Sequence, residues 1–276
     1  MKILRIAAFS DGSVGGNPAG VSIDDDLPPS EVMQQVAAEV GFSETAFAAP
    51  VGDAWRVRYF SPKSEVLFCG HATIALGAAL ALRSGDGIFQ LKLNNAAISV
   101  EGRREGDVVA AALQSPPTRS KPANPSLLEA ALKLFEYSSD DLNRDIPPAE
   151  IHAGADHLVL TLKAREKLAA MRYDLDQGRS LMSKAGLVTI ALVHVRDNQN
   201  FNVRNAFASG GVLEDPATGA AAAAFAGYLR DLRWPHGGNI HIVQGEDMGM
   251  RSIIRADIPP DQGSSIRVSG TARIMA

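Results

Sequence analysis

The chain has little of what several large classes of protein need. It contains a single cysteine, Cys69, so no disulfide can form within it, which is typical of cytoplasmic proteins. Its net charge is −4 and its longest basic block is Arg103-Arg104, which argues against a nucleic-acid-binding surface. The longest apolar runs, near 72–82 and 220–229, fall short of the roughly 18–20 residues that span a bilayer. We therefore expect a cytoplasmic protein that binds neither nucleic acid nor membranes.

Motifs for metals and nucleotides are also missing. The sequence has no P-loop and no Gly-x-Gly-x-x-Gly segment. No zinc spacing such as His-Glu-x-x-His occurs among the histidines outside the motifs discussed below, which are His152, His157, His194, His236 and His241. The sequence therefore gives no support for a zinc site of this spacing or for nucleotide binding.

Length and composition predict two domains. A chain of 276 residues, 46% of them hydrophobic, is long for one core and sufficient for two. The stretch 115–125, SPPTRSKPANP, is the richest in proline and polar residues, which is typical of a boundary. The expected domains are residues 1–116 and 117–276, and the last strand can return to the first domain.

Local patterns predict how these domains begin and end. A helix is expected before Gly41, with Ser30 as its cap and an apolar face of Val32, Val36, Ala37 and Val40. The segment from Gly102 to Gly106 is expected to form a turn. Strands are expected at residues 2–9, in the pair ETAFAAP and AWRVRYFSP, and near 240–243, 251–257 and 265–275.

One segment of the first half recurs in the second half. VRYFSPKSEVLFCGHAT begins at Val57 and VRNAFASGGVLEDPAT begins at Val203. In both, Val-Arg precedes Val-Leu by nine residues, then Ala-Thr and an alanine-rich helix follow. This order predicts an internal duplication of the fold, although two unrelated strand–turn–helix segments would give a similar pattern.

The two alanine-rich helices are apolar on every side, so they belong in an interior. We expect each half to be a curled sheet around such a helix, with the two helix beginnings facing each other across a cleft. Unpaired backbone N–H groups at those beginnings would form an anion site. Asp215 is expected to cap the second helix, with Pro216 in its first turn, whereas Gly70 and His71 begin the first helix.

Five motifs occur in a characteristic order: GNPAGV (16–21), FSETAF (42–47), RYFSPKSEVLFCGHAT (58–73), EDPATGAAAAAFAGYL (214–229) and QGEDMGMR (244–251). In this order they resemble the PhzF-like family of phenazine-biosynthesis isomerases. The resemblance implies an α/β (α+β) fold of two similar, pseudo-symmetric domains, each a rolled β-sheet around a central α-helix, as in diaminopimelate epimerase. It also implies a homodimer that isomerises a small carboxylate-bearing substrate, such as trans-2,3-dihydro-3-hydroxyanthranilate, without cofactor or metal.

The resemblance assigns catalytic roles to Glu44, His71 and Asp215. Glu44 would remove and return a proton, and its apolar neighbours would raise its pKa. His71 would orient the substrate or pass a proton, since its usual pKa lies near neutrality. Taken alone, a glutamate in the position of Glu44 is more often a strand-edge surface residue. His71 equally suits a capping or buried structural position, and a plain helix cap stays open for Asp215.

Further residues are expected to contact the substrate. Asn17, Gly70, Thr73, Gly219 and Ala220 match positions of the family motifs, and the two glycines would offer backbone N–H groups. The family pattern often has serine where this chain has Ala220, so a hydroxyl for the substrate carboxylate is missing. The resemblance therefore leaves the substrate open.

The sequence also allows functions other than this isomerase. The single cysteine excludes a racemase that uses two thiols, and Cys69 is interpreted as a small buried residue. An epimerase or racemase with Glu44 as its single base stays open. So does a non-catalytic protein that binds small molecules on the same fold.

Overall fold

The computed structural model describes residues 1–106 and 108–275 of the chain. The chain divides into two compact units, here called unit 1 (Met1–Gln114 with Ser269–Ala276) and unit 2 (Ser115–Val268). The sequence placed the division two residues further along. No helix within the described residues is both long and apolar enough to cross a membrane.

Unit 1 alternates strands with two longer helices. Its elements are β1 (Ile3–Ser10), β2 (Asn17–Ile23), α1 (Ser30–Val40), β3 (Thr45–Val51), β4 (Ala54–Phe60), β5 (Glu65–Val66), α2 (Gly70–Ser84), β6 (Gly87–Lys92), β7 (Ala97–Glu105) and β8 (Val108–Gln114). β2 and β3 run parallel, as do β4 and β6, while β1–β2, β3–β4, β6–β7 and β7–β8 are antiparallel.

Unit 2 repeats this order with additional helices. Its elements are β9 (Arg119–Pro122), α3 (Pro125–Leu134), β10 (Ala149–His152), β11 (Asp156–Leu162), α4 (Arg165–Ala169), α5 (Leu175–Ala185), β12 (Thr189–Val195), β13 (Asn200–Ala206), β14 (Glu214–Asp215), α6 (Gly219–Asp231), β15 (Asn239–Gln244) and β16 (Ser252–Asp257). The last strand, β17 (Arg267–Ile274), pairs antiparallel with β1 of unit 1 through Thr271 to Ile274.

Helix α1 corrects two details of the sequence prediction. It ends at Gly41 in the left-handed conformation, as expected, but Ser30 is its first residue and caps nothing. The Ser30 hydroxyl accepts a hydrogen bond from Arg58 instead. The buried side is set by Met33 and Ala37, which pack in a cluster with Phe47 and Phe60, so Val32 stays 42% exposed.

Two predicted loops are also wrong in part. Gly102 lies inside β7, which continues to Glu105, so Gly106 is the only residue of the predicted turn that lies outside this strand. The proline-rich stretch 115–125 contains β9, which pairs antiparallel with β10.

The internal duplication is real in structure, but its residue equivalences differ from those read in the sequence. In each unit a strand, a two-residue strand and a buried helix follow one another. Glu65 lies opposite Phe60 of β4, and Glu214 lies opposite Ala206 of β13. Each of these glutamates precedes the first helical residue, Gly70 or Gly219, by five positions.

This register moves the matched pairs of the sequence apart. Val212 and Leu213 precede Glu214, whereas Val66 and Leu67 follow Glu65. Thr218 directly precedes α6 and therefore corresponds to Cys69, while Thr73 lies in the first turn of α2. The Val-Leu and Ala-Thr matches are thus not structurally equivalent.

Helix α2 forms the core of unit 1. Every residue from His71 to Ala81 is buried, and the helix packs against β1, β2, β3, β6, β7 and β8. Its closest approach is to β7, where a Cβ on Gly102 would lie 2.2 Å from the Gly77 carbonyl oxygen. Only glycine at both positions allows this contact. The expected curled sheet around a slender helix is confirmed.

Helix α6 plays the same part in unit 2. Its residues from Ala221 to Arg230 are buried, and it packs against β9, β10, β11, β15 and β16. Gly227 makes room for Thr118, whose side-chain atoms would lie 2.6 Å from an added Cβ.

A matched pair of glycine substitutions tests the close approach. Gly87 and Gly102 lie opposite each other in β6 and β7, but an added Cβ at Gly87 meets only the Phe89 ring at 3.9 Å. We expect Gly102→Ala to lower the free energy of unfolding by about 2 kcal/mol or more, and Gly87→Ala to change it by less than about 1 kcal/mol. Urea unfolding of both variants measures this difference. Equal stabilities would contradict the packing described.

The buried His157 predicts an acid-dependent loss of stability. Its Nδ1 lies 2.7 Å from the Thr189 hydroxyl, and burial lowers its pKa from 6.5 to about 4. Below pH 6.5 this histidine binds a proton in the unfolded chain but stays neutral in the folded state until about pH 4. The free energy of unfolding is therefore highest above pH 6.5 and falls as the pH is lowered towards 4. The loss is at most roughly 3 kcal/mol.

The substitution His157→Asn removes this titration while keeping a polar group at the position of Nδ1. Urea unfolding between pH 4 and pH 7 should show a shallower pH dependence in this variant than in the unsubstituted protein. His241→Asn, at a half-buried position, is the control. A slope that survives in His157→Asn would place the titrating group elsewhere.

Candidate active site

The beginning of α2 is open to a ligand. Gly70 is the first helical residue, and Cys69 precedes it in an extended conformation without capping the helix through its side chain. Apart from its chain neighbours and the backbone of the helix itself, no described residue has an atom within 4 Å of the position that a Cβ on Gly70 would occupy. The first N–H groups of a helix have no partner within it and carry a partial positive charge. This point of unit 1 therefore favours an anion.

An ion pair holds the segment that leads to this beginning. Arg58 of β4 donates two hydrogen bonds to Glu65 of β5, Nε to Oε1 at 2.7 Å and Nη2 to Oε2 at 2.6 Å. The Arg58 guanidinium lowers the pKa of Glu65, despite the opposing effect of burial. Because the pair is bidentate, it fixes the orientation of β5 against β4.

Thr73 fixes the first turn from inside. Its hydroxyl donates to the Cys69 carbonyl oxygen at 2.7 Å and lies 2.7 Å from the Tyr59 hydroxyl. Burial raises the pKa of Tyr59 above its usual value, so its proton stays in place for this bond. Thr73 is fully buried. The Thr73 hydroxyl is therefore bonded within the protein, and its contact with substrate stays a prediction.

Glu44 reaches the same point from the loop before β3. Its carbonyl oxygen accepts a hydrogen bond from the Gly20 N–H at 3.1 Å. A Cβ on Gly20 would lie 2.7 Å from the Thr45 hydroxyl oxygen. The second glycine of GNPAGV therefore allows residues 44 and 45 to lie close to β2. Asn17, the buried first residue of β2, lies three positions before Gly20 and pairs with Ala8 of β1.

Three reactive side chains meet beside the open helix beginning. Glu44 Oε2 lies 3.4 Å from His71 Nε2 and 3.5 Å from Cys69 Sγ. Cys69 Sγ is also 3.3 Å from His71 Nδ1. The side chains of His71 and Glu44 are 8% and 16% exposed, so the carboxylate is largely shielded from water yet reachable. A carboxylate and an imidazole in contact can hold and transfer protons.

Sequence reasoning missed two members of this group. Cys69 was interpreted as a small buried residue, and it is buried, but its sulfur contacts both Glu44 and His71. Ser43, exposed beside Glu44, places its hydroxyl 3.2 Å from His71 Nε2. The only signal in the sequence for the contact between Cys69 and His71 was that they lie on either side of Gly70, where the helix begins. Their contact with residues 43 and 44 depends on tertiary structure.

Asp215 of unit 2 does not cap α6. It belongs to β14, and its carboxylate accepts a hydrogen bond from the hydroxyl of Thr218, the residue that precedes the helix. Pro216 accordingly lies before the helix and outside its first turn. The cap prediction was wrong because the residues 216–218 form a short connection that delays the helix to Gly219.

Gln244 supports this connection. Its Nε2 donates to the Asp215 carbonyl oxygen at 2.7 Å and to the Thr218 hydroxyl at 3.1 Å. Its Oε1 accepts from the Thr218 N–H at 3.3 Å. The first residue of the motif QGEDMGMR therefore holds this connection in place, a role that the sequence did not indicate. Gly219 is buried at the start of α6, and Ala220 is half-buried beside it.

The predicted residues thus fall into two local groups. Glu44, His71 and Gly70 come together in unit 1 with the unpredicted Cys69, and Asp215 and Gly219 come together in unit 2 with Gln244. Asn205, fully buried opposite Asp215 in the β13–β14 pair, has no hydrogen-bond partner for its amide among the described residues. It is a further polar group beside Asp215 that sequence reasoning missed.

Comparison with curated proteins identifies relatives along the whole chain. The chain is 31% identical over 281 residues to the trans-2,3-dihydro-3-hydroxyanthranilate isomerase of Pseudomonas aeruginosa, covering 98% of this chain and 96% of that protein. It is 28% identical over 286 residues to the "Uncharacterized isomerase YddE" of Escherichia coli, covering 99% and 96%. These relatives are named isomerases, in agreement with the expected class.

Solved structures confirm the expected fold class. A PhzF-family phenazine biosynthesis protein from Bacillus anthracis superposes with a TM-score of 0.87 at 22% identity, covering 100% of this chain and 98% of that one. A probable proline racemase from Agrobacterium radiobacter gives a TM-score of 0.66 at 10% identity, covering 99% and 91%. The family model described as "Phenazine biosynthesis-like protein" (PhzC-PhzF) matches residues 6–276. The chain therefore belongs to the PhzC-PhzF family of phenazine biosynthesis-like proteins.

Proposed function

We propose that the chain is a cofactor-independent isomerase that moves a proton on a small, cyclic or unsaturated, carboxylate-bearing substrate. A substrate like trans-2,3-dihydro-3-hydroxyanthranilate is the starting point, because a full-length relative carries that name. The observation that carries the proposal is the placement of the Glu44 carboxylate, 3.4 Å from His71 Nε2 and beside the open backbone at Gly70.

Glu44 acts as the base in this proposal. It takes a proton from a carbon of the substrate and returns it at another carbon, so that the number of protons on enzyme and substrate is unchanged after one turnover. His71 Nε2 lies within reach to hold the carboxylate in place while it is ionised and to share the proton once it is taken. Assistance of this kind is worth about 10²–10⁴-fold in rate.

The substrate carboxylate binds at a helix beginning in this proposal. The absence of a side chain at Gly70 leaves the first N–H groups of α2 accessible, and such a terminus stabilises an anion by roughly 0.3–1 kcal/mol, or up to about 2 kcal/mol when partly buried. Asp215 and the Gly219 N–H of unit 2 are included as further substrate-contacting groups, with Asn17 and Ala220. We also propose that the protein acts in the cytoplasm as a homodimer.

Replacement of Glu44 tests the base directly. Glu44→Gln keeps the shape of the side chain and removes its capacity to accept a proton, so we expect turnover to fall by at least about 100-fold. Glu39→Gln, at an exposed helical position, is the matched control and should retain full turnover. The measurement is NMR of deuterium uptake from heavy water into small cyclic carboxylic acids, including dihydro-hydroxyanthranilate.

The position of the deuterium separates the candidate reactions. Deuterium at a new carbon, with a shifted double bond, supports isomerisation, whereas deuterium at an inverted stereocentre assigns an epimerase with a single base. Undiminished exchange in Glu44→Gln would reject Glu44 as the base. Binding without exchange in the unsubstituted protein, across the whole panel of acids, would favour a non-catalytic binding protein.

A further inference from the structure

The group of Glu44, Cys69 and His71 brings together three kinds of metal-binding atom. The carboxylate oxygen, the sulfur and the imidazole nitrogen lie within 4.8 Å of one another. Oε2 of Glu44 is 3.4 Å from Nε2 of His71 and 3.5 Å from Sγ of Cys69, and Sγ is 3.9 Å from Nε2. Each side chain can therefore offer one atom to a single ion.

These separations are close to three edges of a coordination tetrahedron. A zinc ion binds sulfur at about 2.3 Å and nitrogen or oxygen at about 2.0–2.2 Å, which places neighbouring ligand atoms roughly 3.3–3.6 Å apart. Two of the observed separations lie in this range, and the third requires a movement of a few tenths of an ångström. A rotation of the His71 ring that brings Nε2 towards Sγ and turns Nδ1 away from it supplies this movement.

The donor set selects the class of metal. Thiolate and imidazole ligands favour zinc and its neighbours, whereas magnesium and calcium take oxygen ligands. With Nε2 on the metal, Nδ1 of His71 carries the proton, and the ring turns so that Nδ1 leaves its present contact with Sγ at 3.3 Å. Three protein ligands leave the fourth position of the tetrahedron open.

We propose that Glu44, Cys69 and His71 bind one Zn²⁺ ion, which inhibits the enzyme by occupying the lone pair of its base. The Cys69 thiol loses its proton to solvent when the metal binds, and no electron is transferred. The inhibitory part of this inference rests on the proposed role of Glu44. The binding part stands on the three ligand atoms alone.

Cobalt substitution tests the site without any assay of turnover. The full-length protein, freed of metal by a chelator, is titrated with Co²⁺, and Zn²⁺ is then added as competitor. We expect one equivalent to bind, with a thiolate-to-cobalt absorption band that Zn²⁺ abolishes. The band should disappear in Cys69→Ser, and zinc affinity should fall by more than about 100-fold in Glu44→Gln and His71→Asn, since even an outer-shell change costs 10–100-fold.

Glu39→Gln is the matched control for Glu44→Gln, because Glu39 is exposed on α1 and does not belong to the ligand set. Its zinc affinity should equal that of the unsubstituted protein, and thermal unfolding without metal should show that every variant is folded. Unchanged zinc affinity in folded Cys69→Ser, or cobalt binding without the thiolate band, would overturn the site.

Turnover provides the second readout. Added Zn²⁺ should abolish deuterium exchange, and a chelator should restore it. Exchange that is unaffected or accelerated by Zn²⁺ at saturating occupancy would overturn inhibition. If Glu44→Gln retains exchange, the proposed function fails, yet the cobalt titration still decides whether the three residues bind metal.

Discussion

The close contact between helix α2 and strand β7 is the constraint on which unit 1 depends. The backbone of Gly102 touches the carbonyl of Gly77, and this contact fixes the depth of a helix that is buried from His71 to Ala81. A helix so enclosed has polar N–H groups at its beginning that need partners. The beginning of α2 is open, and the side chains of Glu44, Cys69 and His71 lie beside it. The packing that buries α2 therefore also determines where these side chains meet.

In each unit, the segment that leads into the buried helix is held by two interactions, one of which is the same in both units. The shared interaction is an arginine–glutamate salt bridge, Arg58–Glu65 in unit 1 and Arg204–Glu214 in unit 2. The second pair is the more buried, with side chains 11% and 4% exposed, so losing one of its partners would leave a costly unpaired charge. The second interaction differs between the units. In unit 1 the Thr73 hydroxyl, inside α2, donates a hydrogen bond to the Cys69 carbonyl oxygen, and in unit 2 Gln244 of β15 donates one to the Asp215 carbonyl oxygen.

The sequence predicted the parts of the fold that depend on local pattern. The buried helices, their slender composition and the neighbouring hairpins followed from runs of alanine, alternation and turn residues. The cap at Asp215 was wrong because a proline after an aspartate is typical of a first turn, and only the pairing of β13 with β14 shows that the chain is still extended there. The exposure of Val32 was missed because the burial of Met33 and Ala37 is decided by Phe47 and Phe60.

The composition of the site was harder to predict than its location. Glu44 and His71 were named from motifs, but their contact spans 27 residues and is set by β2, β3 and α2 together. Cys69 was discounted because a lone cysteine is most often structural, and its neighbours became visible only in three dimensions. Thr73 was expected to contact the substrate, and the bonds of its hydroxyl within the helix and to Tyr59 were not visible in the sequence.

A crystal structure with a small cyclic carboxylic acid bound tests the central claim most directly, because the claim is one of placement. The account predicts a substrate carbon within about 3.5 Å of the Glu44 carboxylate, as proton transfer requires, and the ligand carboxylate against the N–H groups that begin α2. An acid bound elsewhere, with the Glu44 side chain turned into solvent, would contradict it.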